Sequence, residues 1–137
     1  MRTLIVLGFV LISTACFAVT SEKFGKGGWY KDFQPEIERA NASGELFRIK
    51  GHCQSNCTLF LGLRNVCVER GATLLFHAGH DRQRNINVGS TQRMLSAYNA
   101  KLRQYVLDNH YMDTLAFHAI QGSMIIDRFG YRECPRQ

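Results

Sequence analysis

The chain has 137 residues, 45% apolar and 20% charged, with 12 Gly and 2 Pro, which excludes disordered, collagen-like and low-complexity classes and leaves room for one compact domain. The net charge of +6 is scattered, with no dense Lys/Arg run and no interleaved aromatics, and this excludes nucleic acid as a partner. Five Cys in so short a chain mean a disulfide framework or a metal site, and the compartment decides between them.

Met1-Arg2-Thr3 supplies a positive start, Leu4 to Ile12 is an apolar run broken only by Gly8, and Cys16-Phe17-Ala18 ends in a small-x-small pattern. Residues 1–18 read as a secretory signal cut before Val19. The apolar run is about half the roughly 20 residues of a spanning helix, so no membrane anchor is expected after cleavage. Cys16 raises lipid attachment, against which Ser13 stands where such a signal prefers Leu. The mature domain, 19–137, is then secreted or periplasmic and keeps Cys53, Cys57, Cys67 and Cys134. An even count in an oxidising compartment predicts two disulfides, with the pairing open.

Along the mature chain, Lys26-Gly27-Gly28 predicts a flexible turn. Tyr30, Phe33, Ile37 and Ala40 then fall at helical spacing, with Pro35 near the helix start and Gly44 past its end. Leu46 to Ile49 predicts a short strand, Gly51 to Gln54 a tight bend, and Ser55 to Leu63 a helix apolar almost all round and hence buried. Val66 to Val68 and Thr73 to Phe76 are strand candidates. Ala78 to Gly89 is polar and aperiodic, a surface loop or assembly element. Ser90 or Thr91 caps a helix whose stripe is Met94, Leu95, Tyr98, Leu102, Tyr105 and Val106. Asp113 caps a short helix from Thr114 to Ile120 closed by Gly122, and Ser123 to Tyr131 reads as a final strand or extended arm. This order predicts an α/β domain with a small parallel-type sheet and helices packed on it.

Ser55 directly follows the Gly-containing strand-to-helix bend Gly51-His52-Cys53-Gln54, a setting that exposes a side-chain oxygen at a helix N-terminus. The helix dipole and free backbone N–H groups there stabilise negative charge on a substrate oxygen, which suits a nucleophile. The plainer role for Ser55 is to cap the helix it begins. His77 ends the Thr73 to Phe76 strand, from where an imidazole can reach a serine at the end of a neighbouring strand; a structural histidine is the plainer role there. Cys53-x-x-x-Cys57 with His77-x-x-His80 has ligand types suited to zinc, but both spacings are loose and the compartment is oxidising, so no metal and no cofactor is expected. His52, His110 and His118 have no partner spacing above surface or packing roles.

Lys26-Gly27-Gly28, a helix, a strand, Gly51-x-x-x-Ser55 and then Ala72-Thr73-Leu74-Leu75-Phe76-His77 resemble the core of the Clp protease proteolytic-subunit family, within the crotonase-like superfamily. The run Ile49 to Leu59, with Cys67-Val68 and Phe76-His77-Ala78, is similar to exported Clp-like proteins. The resemblance covers Gly27 to His77 well and the remainder faintly; Lys26 stands where the family usually has Pro. It implies a small, disulfide-stabilised crotonase/Clp-like domain with a reduced sheet, a serine peptidase activity, a peptide substrate and a homo-oligomer. It also implies roles: Ser55 as nucleophile, His77 as general base, Asp113 as the acid that orients the imidazole, and backbone N–H groups of Gly27, Gly28 and Asn56 as the oxyanion hole. The competing expectation is a binding or assembly module that keeps the fold without the chemistry.

Overall fold

The computed structural model describes residues 18–137; the stretch read above as a secretory signal, 1–18, lies outside the described residues apart from Ala18. The described chain is a mixed α/β unit. It contains six strands, β1 (Val19–Thr20), β2 (Phe47–Ile49), β3 (His52–Gln54), β4 (Val66–Val68), β5 (Thr73–Phe76) and β6 (His118–Gln121), and four α-helices, α1 (Tyr30–Ser43), α2 (Val88–Ala97), α3 (Ala100–Asp108) and α4 (Gly122–Asp127). Two 3₁₀ helices, Glu22–Phe24 and Ser55–Gly62, complete it.

Two three-stranded sheets replace the single small sheet expected. The first has the order β1-β2-β4 and is parallel throughout, with Phe47 opposite Val66 and Ile49 opposite Val68. In the second, of order β3-β5-β6, β3 runs parallel to β5 while β6 runs antiparallel to it, Phe76 facing His118 and Thr73 facing Gln121. Gly51, at φ 64, turns the chain from β2 in one sheet to β3 in the other. Backbone of this hand is readily open to glycine, which has no Cβ to collide with the carbonyl.

The 3₁₀ helix Ser55–Gly62 is the centre of the packing, as its apolar circumference predicts. Phe60 meets Phe24, Phe33 and Phe47 at ring-centroid distances of 5.1, 5.6 and 4.4 Å, joining four separate elements in one aromatic cluster. Thr58 shares a 2.6 Å hydrogen bond with the Tyr98 hydroxyl, and burial pushes that phenol well above its ordinary pKa. Helix α1 ends at Gly44 in left-handed backbone, φ 69, where the N–H donates to the Ala40 carbonyl at 3.2 Å.

Three stretches depart from the sequence reading. His52–Gln54, read as part of a tight bend, is strand β3, held extended by its pairing with β5. The stripe from Met94 to Val106 belongs to two helices rather than one: Asn99 interrupts it, and its side-chain oxygen accepts the Leu102 N–H at 3.0 Å, starting α3 afresh. Asn87, not Ser90 or Thr91, caps α2. Near the C-terminus strand and helix are exchanged, since His118–Gln121 is the strand and α4 follows it. The cause is non-local: residues 118–121 pair with β5, and the Gly122 N–H donates to the Ala72 carbonyl at 2.7 Å in a place where a Cβ would strike the Glu69 carbonyl.

The disulfides join Cys53 to Cys57 and Cys67 to Cys134. The second fastens the C-terminal segment beside β4, where the Val68 N–H donates to the Arg132 carbonyl at 2.9 Å and its carbonyl accepts the Cys134 N–H at 3.0 Å. Buried Arg48 reaches the same segment, pairing with Glu69 at 3.1 Å and donating to the Pro135 carbonyl at 3.0 Å. Loop-closure entropy separates the two bridges. A sequence separation of 67 corresponds to about 4 kcal/mol of stabilisation and one of 4 to about 2 kcal/mol. Cys67→Ala/Cys134→Ala is therefore expected to lower the denaturant midpoint roughly twice as far as Cys53→Ala/Cys57→Ala, provided the slopes of the unfolding curves stay alike.

Candidate active site

Ser55 stands at the junction of β3 and the 3₁₀ helix with φ 56, one of three non-glycine residues with positive φ among the described residues. Backbone of this kind costs an L-residue about 1–2 kcal/mol and persists only where its surroundings enforce it. Those surroundings are visible on both sides. The Cys53–Cys57 disulfide spans the bend, Gln54 donates from Nε2 to the Lys26 carbonyl at 2.8 Å, and Asn56 donates from Nδ2 to the Gly28 carbonyl at 2.8 Å. The cap position of the helix is Gln54 and no side-chain cap bond forms there, so the Ser55 hydroxyl is not spent on capping.

The glycine turn lies against this elbow. At Gly27, φ 72, a Cβ would come within 2.9 Å of the Ser55 Cβ and 3.0 Å of the Gln54 carbonyl. Its N–H already donates to the Phe24 carbonyl at 3.0 Å, which makes Gly27 a close-packing glycine rather than the oxyanion donor expected of it. Gly28, at φ 148, lines the cavity in front of Ser55 together with Asn56. Asn56 falls in the first turn of its helix, where backbone N–H groups have no intrahelical acceptor.

Ser55 and His77 both line that cavity, of about 400 Å³, with no hydrogen bond between them among the described residues. In β5, Leu74 and Phe76 are buried while Thr73 and Leu75 are half-buried, and continuing the alternation puts His77 on the Thr73 and Leu75 face. His77 is only 4% exposed, and neither ring nitrogen has a hydrogen-bond partner among the described residues. Its ring packs edge-on to Phe117 at 4.9 Å. Burial, chiefly, holds the imidazole below its ordinary pKa of 6.5, so it is a neutral base near pH 7.

Asp113 is elsewhere. Its carboxylate bonds His110 Nδ1 at 2.7 Å, both groups being exposed, and it is not part of the cavity lining. The backbone does come close, since the Ala78 N–H donates to the Thr114 carbonyl at 2.8 Å, but the side chain is taken by His110, a partner that spacing alone did not single out. Asp113 therefore does not orient His77 in this arrangement. Cys53 and Cys57, weighed as zinc ligands, are bonded to each other, and among the described residues no group of three or more His, Cys, Asp or Glu is placed to hold a metal.

Several cavity residues escaped the sequence reading. Trp29 follows the paired glycines directly and packs its ring against His80 at 5.9 Å. Arg84 comes from the aperiodic loop and Arg93 from α2, where it lies over the Tyr30 ring at 4.1 Å. No spacing rule joins residues so far apart in the chain; only the folding of the loop over the elbow does. Among the described residues, no helix is long and apolar enough to cross a membrane. Comparison with protein-family models, with curated proteins and with solved structures finds no match for the chain.

Proposed function

We propose that the protein is an exported, Clp-like serine hydrolase that cleaves peptide bonds with a Ser55–His77 pair. The observation that carries this reading is a buried imidazole with both nitrogens unpartnered, lining the same cavity as a serine held in left-handed backbone. A buried polar ring without a partner is destabilising in a purely structural role, and substrate or nucleophile supplies what it lacks. The order of motifs shared with Clp-like proteins supports the reading, and two disulfides suit an oxidising compartment.

In the proposed reaction the Ser55 oxygen attacks the scissile carbonyl carbon as its proton passes to His77. The oxyanion that forms is met by the backbone N–H groups of Gly28 and Asn56, where the partial positive charge of the helix end assists. Collapse breaks the C–N bond, and His77 returns the proton to the departing amine. Water then repeats the sequence on the acyl-serine, releasing acid and restoring the hydroxyl. No Ser55–His77 hydrogen bond is present among the described residues; catalytic hydrogen bonds are commonly long without substrate and tighten in the complex. Fluorophosphonate labelling followed by peptide mapping tests the reading, with an adduct on Ser55 as the expected result.

The pH dependence has a definite sign. His77 acts as a base when neutral, and burial lowers its folded-state pKa, so labelling is expected in full above 6.5 and to fall only as pH drops through that lower value. Stability follows the same direction: the unfolded imidazole takes up a proton near 6.5 and the folded one does so lower, so stability declines as pH falls between the two. His77→Gln should flatten both profiles, measured as labelling rate and as thermal midpoint against pH.

One observation favours the alternative, a Clp-like binding module without catalysis: among the described residues no carboxylate holds His77, and Asp113 is committed to His110. On that reading the wild-type protein takes no covalent label at Ser55.

A further inference from the structure

The charge of the cavity is one-sided. Lys26 comes from the glycine turn, Arg84 from the loop and Arg93 from α2, and all three line it, while among the described residues no Asp or Glu does. None of the three takes part in an ion pair among the described residues, in contrast with Arg39, Arg48 and Arg70, whose charges are matched by carboxylates. Arg84 is itself held at φ 64 in a turn closed by its N–H on the Asp81 carbonyl at 3.1 Å. The buried, unpartnered His77 adds polar capacity at the same place. Beside these groups the wall is apolar, with Trp29, Met94 and Phe117.

Unmatched cations around a concave surface concentrate anions there, because low-dielectric walls focus the field. Arginine in particular recognises carboxylates through its planar fork of donors. We propose that this cavity selects peptides bearing a carboxylate close to the bond presented to Ser55, with Arg84, Arg93 and Lys26 as its specificity determinants. The proposal rests on the hydrolase reading for the role of Ser55, yet the charge selection is a property of binding and is measured without turnover.

The chain has one tryptophan, Trp29, and it stands in the cavity wall, so its fluorescence reports occupancy directly. The experiment titrates the mature Ser55→Ala protein with three capped tripeptides. One has a central glutamine and an amidated end, one a central glutamate and an amidated end, and one a central glutamine and a free terminal carboxylate. The expected result is binding of at least one acidic peptide roughly tenfold tighter than the neutral one. The glutamate peptide reads a side chain and the free acid reads a chain terminus, so the pair identifies the source of the carboxylate. The preference should shrink as salt rises from 0.05 to 0.5 M, both figures being about the range over which screening tightens. It should also be lost in Arg84→Gln/Arg93→Gln, whose exposed positions leave folding intact. Equal affinity for all three peptides, or a preference that survives the double substitution, overturns the proposal. Fluorophosphonate labelling of wild type runs alongside. Selective binding without labelling removes the hydrolase and keeps the charge selection, whereas labelling without selective binding does the reverse.

Discussion

Ser55→Ala is expected to abolish fluorophosphonate labelling and to lower peptide hydrolysis by roughly 10³-fold or more, while leaving stability within about 0.5 kcal/mol of wild type. The two halves of this result have separate causes. Removing the hydroxyl takes away the only atom of the residue that can form an acyl bond. Stability is spared because alanine carries the same Cβ as serine, so the left-handed backbone at φ 56 is equally strained in both. Ser55→Gly completes the test. Glycine relieves roughly 1–2 kcal/mol of conformational strain, of which about 0.5–1 kcal/mol is returned through the freer unfolded chain. The glycine protein should thus melt at or slightly above wild type and take no label. A residue whose replacement by glycine raises stability is kept for something other than folding. Retained labelling in either variant would move the nucleophile elsewhere, and a sharp fall in both melting points would make Ser55 a structural residue.

The largest effect on stability is expected from Leu102→Asp. Leu102 is fully buried in α3, one turn from the Asn99 cap that starts the helix, and its neighbour Lys101 is exposed. An unpaired carboxylate at that position costs several kcal/mol, comparable to the whole folding free energy of a small domain. The protein should then lack a cooperative thermal transition at neutral pH. Lys101→Glu, one position away on the solvent face, should stay within about 0.5 kcal/mol of wild type. Similar melts for the two variants would place α3 outside the core.

What the sequence made legible depended on whether the deciding interactions were local. Helix α1 was readable because its apolar spacing and its terminal Gly44 are both features of one short stretch. Strands β2, β4 and β5 were readable from compact β-branched and aromatic runs. The break at Asn99 was hidden because α2 and α3 present the same stripe to the core: Met94, Leu95, Tyr98, Leu102 and Val106 are all buried, so the spacing passes through the interruption unchanged. Strand β6 was missed because its identity comes from pairing with β5 more than forty residues earlier, which no local pattern announces.

The site divides along the same line. His77 follows strand β5, whose end was legible, and Ser55 follows a Gly-containing bend that was legible although the strand β3 within it was not, so both positions were open to sequence reasoning. Asp113 was chosen by its place in the chain, and nothing in that place records that His110, three residues earlier, captures the carboxylate. Arg84 and Arg93 were invisible as site residues because a loop without periodicity and the exposed side of a helix are ordinary places for arginine. Gly27 was legible as a special residue but with a different reason attached, since the elbow needs the space of its missing side chain.

The segment fastened by Cys67–Cys134 also determines how the chain meets other chains. It occupies the outer side of β4, using the backbone N–H and carbonyl of Val68, while β1 covers the other margin of the same sheet. Reduction of this bridge releases more than loop entropy: once the segment lifts away, an uncovered strand margin becomes a template on which unfolded or newly made copies can add. Formation of the disulfide is thus a safeguard against aggregation, and the interval between synthesis and oxidation is when the protein is most exposed to it.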